Sequence, residues 1–354
     1  VEFVAEDTDG SVDVKFNFDG TNLGGRILVA FEKLYYGEKL YGTHADLEDE
    51  EQTMYVPEVE TVALNKETET HHALADGTVE LLDTVKYRNL LPGRNYTLHG
   101  MIVEKETGNP VSEERTLEFV PEKSEGSVEL GFEISADELC GKTIVVYEEI
   151  KADGKSIAEH KDPEAKEQSI YFPEIGTKAL DENSKTQEGE AKEKQKIIDQ
   201  ITYKNLLPDE TYVLKGVLMD KETGKELVDE NGKTVTAGIS FVPENEEGTI
   251  EMTFELDARR LAGKSVVVFE RLYDEEEHLI AKEEDIENAD QTVLYRKQEI
   301  PKNTIVKKPG HNSKEVRKSP KTGDENRMDL WLVMLCVFGI AVVTEIVIYK
   351  RRNR

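Results

Sequence analysis

Apolar and polar residues alternate over short stretches that recur along the chain. Residues 127–134 alternate in this way, and residues 249–256 and 11–16 carry the same pattern. Residues 96–103 and 212–219 form a second set of alternating stretches. A period of two places one face of a β-strand on a hydrophobic core and the other face in solvent. The pattern therefore predicts a strand at each of these five places.

Turn-forming residues separate the alternating stretches. Proline, glycine and asparagine occur at residues 91–93 and 106–110, and another glycine-containing turn sequence occurs at residues 222–224. Many short strands with turns between them are typical of an immunoglobulin-like β-sandwich. We therefore predict an all-β fold, with only a single helical turn at residues 136–139 and at residues 258–261.

A longer pattern occurs three times, and each copy contains an apolar run that ends in glutamate, followed downstream by a glutamine. The glutamates are Glu32, Glu148 and Glu270, and the glutamines are Gln52, Gln168 and Gln291. The spacing between copies is too long for a solenoid unit and suits independent domains. We predict that residues 1–57 are the C-terminal part of a first repeat, residues 58–173 a complete second repeat, and residues 174–296 a complete third repeat.

The first residues of the chain match the interior of the later repeats. Residues 1–6 correspond to residues 117–122 and 239–244. We therefore expect the chain to be a fragment of a longer protein, with its export signal upstream.

Charge and cysteine content exclude several classes of function. The net charge is −29, which would repel the phosphates of a nucleic acid, and we attribute it to a solvated exterior. The two cysteines, Cys140 and Cys336, cannot build a disulfide framework or a cysteine-based zinc site. The adjacent His71 and His72 lack partner ligands in a polar loop, so no metal or cofactor is expected.

The composition changes after residue 296. Residues 297–327 lack periodicity and are rich in Lys, Pro, Asn and Ser, as in an extended linker. Residues 328–354 then contain an apolar stretch, residues 330–349, which is long enough to cross a bilayer as a helix. The basic residues 350–354 place the C-terminus in the cytoplasm.

A short motif precedes this predicted transmembrane helix. It consists of Ser319, Pro320, Lys321, Thr322 and Gly323. The motif, the apolar helix and the basic tail resemble the cell-wall sorting signal of Gram-positive surface proteins, except that Ser319 stands where leucine is usual. The resemblance implies that a sortase cleaves between Thr322 and Gly323 and joins Thr322 to a peptidoglycan precursor. The alternative is a plain single-span membrane protein whose linker contains proline.

Polar residues recur in step with the Glu and Gln of each copy. His44 and His160 each precede the glutamine of their copy by eight residues, and Glu283 takes this place in the third copy. Each complete repeat begins with a threonine in a strand-like setting, Thr61 or Thr177. These motifs, over nearly all of residues 1–296, resemble the VaFE repeat, also called the T-Q ester bond domain, of Gram-positive adhesins.

The resemblance implies an ester between the first-strand Thr and the last-strand Gln, formed without an enzyme. A Thr hydroxyl is a weak nucleophile and needs a base, the role expected of His160. The amide of Gln168 loses ammonia when its carbonyl is attacked, provided that donors stabilise the oxyanion. Glu148, at the end of an apolar strand, should have a raised pKa and shuttle a proton. An acid three residues before the Gln belongs to the family pattern and is present as Asp49.

The copies differ in how much of this set they retain. The first has Glu32, His44, Asp49 and Gln52, but its Thr would lie before Val1. The second has Thr61, Glu148, His160 and Gln168, with Ala165 in place of the acid; the third has Thr177, Glu270 and Gln291, with Glu283 for His and Asn288 for the acid. Asp83 and Asp199 either orient the site or are turn or strand-edge residues.

We predict a Thr61–Gln168 bond and, with a weaker basis, a Thr177–Gln291 bond. Glu283 can act as the base if it is buried, although loss of both His and acid is the commoner mark of an inactive site. The alternative is that Thr, His and Gln are ordinary surface residues. Lys–Asn isopeptide crosslinks are a further alternative, with Lys178 as the nearest candidate.

The sequence thus predicts a secreted, wall-anchored stalk that spans the membrane before sorting and is not an enzyme. Its expected partners are sortase and peptidoglycan, with a host surface ligand bound through a region upstream of residue 1. Alternatively, the repeats themselves bind a host ligand. A wall-anchored hydrolase would need a catalytic domain in the upstream region.

Overall fold

The structure is a computed structural model that describes residues 1–297. Its first repeat contains two separate two-stranded antiparallel ladders, β1 with β4 and β2 with β3. The strands are β1 (Ile27–Val29), β2 (Glu32–Tyr36), β3 (Lys39–His44) and β4 (Thr53–Tyr55), and the 3₁₀ helix η1 covers Glu50–Gln52.

The second repeat consists of two β-sheets. One sheet has the order β5-β6-β9, and the other has the order β11-β10-β7-β8, with β12 also paired to β10. The elements are β5 (Glu58–Asn65), β6 (Thr78–Arg88), β7 (Tyr96–Glu104), β8 (Arg115–Phe119), β9 (Gly126–Ser135), β10 (Thr143–Ala152), β11 (Lys155–His160), the 3₁₀ helix η2 (Lys166–Gln168) and β12 (Ser169–Tyr171).

The third repeat has the same plan with additional edge strands. One sheet has the order β13-β15-β19, and the other β14-β22-β20-β16-β17, with β18 paired to β16 and β21 to β20. The elements are β13 (Glu174–Asp181), β14 (Glu188–Glu190), β15 (Gln195–Lys204), β16 (Tyr212–Asp220), β17 (Lys225–Glu226), β18 (Thr236–Phe241), β19 (Gly248–Leu256), the 3₁₀ helix η3 (Arg259–Leu261), β20 (Lys264–Tyr273), β21 (Leu279–Glu283) and β22 (Thr292–Arg296).

Each complete repeat has its own hydrophobic core between its two sheets. In β9 the buried residues alternate with exposed ones, so Leu130, Phe132 and Ile134 face inward. They meet residues of the opposite sheet such as Leu98 and Ile144 in one cluster. An equivalent cluster fills the third repeat. The all-β prediction is confirmed, because strands dominate the described residues and the few helical elements are single 3₁₀ turns.

One of the five predicted strands is wrong. Residues 11–16 contain no strand and are exposed. In the second repeat the equivalent strand β9 pairs with β6 along its whole length. No strand precedes residues 11–16 in this chain. An alternating sequence without a neighbouring strand leaves its backbone hydrogen bonds to water.

Two predictions concern residues outside the described part. The sorting motif at residues 319–323 and the apolar stretch at residues 330–349 both lie beyond residue 297. Within residues 1–297, no helix has the length and apolar character needed to cross a membrane.

Candidate functional site

The predicted site of the second repeat lies between the two sheets of the sandwich. Thr61 is on β5 in one sheet, and its side chain is buried because alternate residues of this strand face the core. Glu148 is on β10 in the other sheet, directly opposite His160 of β11 in the antiparallel ladder. Gln168 ends η2, immediately before β12. Four separate elements thus bring these side chains to one place.

The four side chains form a connected hydrogen-bonded set. Thr61 Oγ1 lies 2.9 Å from His160 Nδ1 and 3.3 Å from Glu148 Oε2. Gln168 Nε2 donates to Glu148 Oε1 at 2.5 Å. Glu148 and Gln168 are fully buried, whereas the His160 side chain is 30% exposed. Glu148 therefore holds both predicted ester partners, and only the histidine reaches solvent.

A second buried carboxyl group, that of Asp83, accompanies Glu148. No side chain or backbone N–H or O–H of the described residues donates to either Asp83 carboxylate oxygen. Burial raises the pKa of both acids, and the pKa of Glu148 rises further because of the Asp83 charge. Two neighbouring buried carboxyls repel each other when both are ionised, so one of them holds a proton. We therefore assign the proton to Glu148, whose pKa is raised well above its usual range.

We assign His160 as the acceptor of the Thr61 hydrogen bond. Burial lowers its pKa below the ordinary value of 6.5, so the neutral imidazole is favoured. The contact with the Thr61 hydroxyl is made by Nδ1. An imidazole that accepts at Nδ1 carries its proton on Nε2. In this tautomer His160 can take the Thr61 proton.

A glycine lies beside the buried glutamate. Gly100 of β7 is the cross-strand neighbour of Glu148 on the side away from His160. A Cβ atom at Gly100 would lie 2.3 Å from a methyl carbon of Leu130 and 2.9 Å from the ring of Phe132. The opposite sheet therefore packs directly against the backbone beside Glu148. Gly216 has the same place beside Glu270. Neither glycine is among the residues predicted from the sequence, although glycine in the middle of an alternating strand is a signal of close approach.

The third repeat brings its predicted residues together in the same place. Gln291 Nε2 donates to Thr177 Oγ1 at 2.7 Å and to Glu270 Oε2 at 2.6 Å. Thr177 Oγ1 lies 3.4 Å from the same Glu270 oxygen. Asp199 is fully buried nearby, and burial and the Asp199 charge raise the pKa of Glu270. The Thr–Glu–Gln arrangement is thus retained.

The histidine position of the third repeat holds a differently connected pair. Glu283 of β21 lies opposite Glu270 in the ladder, as His160 lies opposite Glu148. Asn288 Nδ2 donates to Glu283 Oε1 at 3.3 Å. Both substitutions are visible in the sequence, but the contact between them is not, because it depends on the orientation of both side chains.

The first repeat holds a histidine and an aspartate at these two positions. His44 lies opposite Glu32, and its Nε2 is 2.7 Å from Asp49 Oδ2. When the Gln52 amide is oriented to satisfy its donors, its nitrogen lies 3.1 Å from both Glu32 carboxylate oxygens. The Glu–His–Gln part of the site is therefore assembled without a threonine. Asp49 also caps η1 by accepting from the backbone N–H groups of Glu51 and Gln52.

The arrangement in the second repeat can join Thr61 to Gln168. Transfer of the Thr61 hydroxyl proton to His160 would generate the nucleophile, and attack on the Gln168 carbonyl carbon would give a tetrahedral intermediate. The leaving nitrogen is already held by Glu148, whose proton completes ammonia. Among the described residues no donor contacts Gln168 Oε1, so the expected oxyanion donors are not found.

Other candidates lie outside this site. Lys178, the isopeptide candidate, is exposed on β13, next to the inward-facing Thr177. His71 Nδ1 lies 3.1 Å from the Ser169 carbonyl oxygen. His72 is buried with its Nε2 3.1 Å from the Tyr212 hydroxyl, and burial lowers its pKa to about 4. The two histidines thus make protein contacts and do not converge on one point. The sorting motif lies beyond the described residues.

The site defines a class of protein: tandem β-sandwiches that each hold a threonine, an acid and a glutamine between their sheets. The model of the T-Q ester bond containing domain matches residues 1–56, 57–172 and 173–295. The chain therefore belongs to the T-Q ester bond domain family. A comparison with curated protein sequences found no match.

Several solved structures resemble the chain distantly. A bacterial adhesin from Mobiluncus mulieris, described as containing intramolecular disulfide, isopeptide and ester bond cross-links, is 16% identical with a TM-score of 0.32 and covers 60% of this chain and 80% of its own. The C-terminal domain of the AgI/II polypeptide BspA from Streptococcus agalactiae is 9% identical with a TM-score of 0.31, covering 64% and 97%. Red sea bream transglutaminase is 10% identical with a TM-score of 0.24, covering 68% and 31%.

Proposed function

We propose that the second and third repeats each form an intramolecular ester, Thr61–Gln168 and Thr177–Gln291, without an enzyme. The observation that supports this most directly is that Thr61 and Gln168 both contact one buried carboxyl group, that of Glu148. His160 contacts the same Thr61 hydroxyl. Ester formation would release one ammonia and consume the glutamine amide, so each site would act once.

In the third repeat we propose that Glu283 is the base. Asn288 holds one of its carboxylate oxygens, and Glu283 occupies the cross-strand position of His160. The buried acids Glu270 and Asp199 are close by. An aspartate at position 288 would add another negative charge to this group of carboxyls, whereas asparagine donates a hydrogen bond. Asparagine is thus the better partner for a glutamate base.

The proposed role of the esters is mechanical. Each bond would join the first strand of a sandwich to the segment before its last strand, so that tension bypasses the hydrogen-bonded sheets. In the chain-entropy model, a crosslink that closes a loop of about 100 residues also contributes roughly 4–5 kcal/mol to stability. We infer that the tandem repeats form a stalk of a bacterial surface adhesin that holds a binding region away from the cell.

We further propose that the stalk is anchored to peptidoglycan. The support is the motif at residues 319–323, followed by an apolar stretch and a basic tail. Sortase would cleave after Thr322, and residues 330–349 would hold the chain in the membrane until then. Direct ligand binding by the repeats has less support, because no aromatic side chain is among the large exposed hydrophobic residues of residues 58–297.

The intact mass of the chain tests the ester proposal. Each ester lowers the mass by about 17 Da, one ammonia. We expect two losses of ammonia in the unchanged chain and one in His160→Ala. Hydroxylamine should cleave every ester that has formed in either chain. One loss in the unchanged chain that disappears in His160→Ala would confine the chemistry to the second repeat. No loss in the unchanged chain would overturn the proposal.

A further inference from the structure

The junction between the first and second repeats depends on one asparagine side chain. Asn89 follows β6 directly, and its amide Nδ2 donates to the carbonyl oxygens of Arg26 at 3.2 Å and Val56 at 3.1 Å. Both acceptors belong to the first repeat, one beside β1 and the other at the end of β4. Asn89 therefore contacts the two backbone positions that flank the β1–β4 ladder of its neighbour at one end.

The junction between the second and third repeats is built in the same way. Asn205 follows β15 directly, and its Nδ2 donates to the carbonyl oxygens of Lys142 at 2.6 Å and Phe172 at 3.2 Å. These residues flank β10 and β12, which pair with each other. The same side chain thus binds the same two backbone positions of the preceding repeat at both junctions.

The two asparagines share an uncommon backbone conformation. Asn89 has φ of 59° and Asn205 has φ of 61°, in the left-handed region that asparagine tolerates better than most residues. An amide also carries two N–H donors, which matches two carbonyl acceptors. Glycine would keep the backbone without the donors, and aspartate would set an acceptor against two acceptors. Asparagine meets both requirements.

A glycine–glutamate contact accompanies each asparagine. A Cβ atom at Gly25 would lie 2.6 Å from a carboxylate oxygen of Glu58, and a Cβ at Gly141 would lie 2.6 Å from one of Glu174. Both glycines have positive φ, and both belong to the preceding repeat. The first strand of each repeat therefore packs against a bare backbone segment of its neighbour.

The second junction has more contacts than the first. The Thr143 hydroxyl donates to Asn205 Oδ1 at 2.7 Å, whereas Ile27 occupies the equivalent position of the first repeat. His72 of the second repeat also contacts the Tyr212 hydroxyl of the third.

We propose that the turn after the second long strand of each complete repeat is a docking surface for the C-terminal end of a preceding repeat of the same family. Asn89 and Asn205 recognise the two carbonyl oxygens at that end and fix the angle between successive repeats. The tandem is then a stiff rod in solution, whether or not the esters form.

Spin labels on either side of the second junction test this in the full chain. Labels on Lys123→Cys and Glu230→Cys, with Cys140 and Cys336 replaced by serine, report the distance between the second and third repeats by pulsed electron spin resonance. We expect one narrow distance distribution. Asn205→Gly keeps the left-handed backbone, so the third repeat should fold, and the distribution should broaden at least twofold.

Two further variants make the result specific. Asn205→Asp should broaden the distribution as much as Asn205→Gly, because it removes the donors. Asn89→Gly makes the same change at the other junction and should leave the distribution narrow. A narrow distribution in both Asn205 variants would overturn the proposal, as would equal broadening in Asn89→Gly. Thermal unfolding of each variant verifies that the repeats themselves remain folded.

Discussion

The second and third repeats differ at two positions of the same site. His160 contacts Thr61, and Ala165 stands where the first repeat has Asp49, the partner of His44. Glu283 replaces the histidine, and Asn288 replaces the acid. If each position is considered separately, each difference removes a residue of the family pattern.

The contacts change that interpretation for the third repeat. In the first repeat the acid Asp49 accepts from His44, and in the third repeat Asn288 donates to Glu283. A side-chain pair is present in both repeats, but the base donates the hydrogen bond in the first repeat and accepts it in the third. Two matched substitutions are therefore more informative about a site than a count of missing residues. The second repeat, which keeps the histidine and lacks its partner, is the one with an incomplete pair.

The largest effect should come from the nucleophiles. Thr61→Ala should remove one mass loss of about 17 Da and lower the free energy of unfolding of the second repeat by roughly 4–5 kcal/mol. Thr177→Ala should do the same in the third repeat. Mass spectrometry and denaturant unfolding measure the two effects.

Thr97→Ala, at a partly buried strand threonine outside the site, is the matched control and should keep both bonds. If Thr61→Ala and Thr177→Ala differ, so that only the former changes the mass, the third site is inactive.

How much of this could be predicted from the sequence depends on the range of the interaction. The alternating stretches predicted β7, β9, β16 and β19 because burial on one face follows directly from a period of two. The alternation at residues 11–16 failed because a strand also needs a neighbour. The Asn288–Glu283 hydrogen bond depends on side-chain orientation, and the hydrogen bonds of Asn205 depend on contacts between repeats. No local sequence pattern encodes either.

The paired exchange in the third repeat is the next test. Asn288→Asp should slow formation of the Thr177–Gln291 bond by about 10–100-fold, because a hydrogen bond to a charged group, worth about 1.5–3 kcal/mol, is lost. Adding Glu283→His should restore the rate, because it recreates the His44–Asp49 pair. The chain is produced and purified in denaturant so that no bond forms beforehand. It is then refolded, and its mass is measured over time.

Asn288→Asp alone and Glu283→His alone complete a double-mutant cycle. Independent effects of the two substitutions would contradict a coupled pair.

The two sites should also respond differently to pH. His160 acts as a base only when neutral, and its pKa is lowered below 6.5 by burial. As the pH falls through the pKa of His160, the Thr61–Gln168 bond should form about tenfold more slowly per pH unit. Because its pKa is raised, Glu148 keeps its proton at neutral pH. When the pH rises through this raised pKa, Glu148 loses the proton that it supplies to ammonia, and the rate of bond formation should fall again. The unreacted repeat should also have lost stability by then, because the buried carboxyl becomes charged.

The Thr177–Gln291 bond should not slow down in the pH range where an imidazole is protonated, since the third repeat has no histidine at that position. Refolding at a series of pH values, with each bond assigned by peptide mapping, separates the two profiles. Parallel profiles for the two bonds would contradict different bases.

The smallest effect should come from repairing the second repeat. Ala165 precedes η2 without a side-chain cap, whereas Asp49 caps η1. Ala165→Asp should therefore add about 1 kcal/mol of stability through the cap. It should also accelerate the Thr61–Gln168 bond severalfold, because His160 uses Nδ1 for Thr61 and leaves Nε2 for a carboxylate. Ala165→Asn supplies the cap without the charge, so it should gain the stability and little of the rate. Equal rates in both variants would mean that the acid of the first repeat acts through the fold of the turn and not through its histidine.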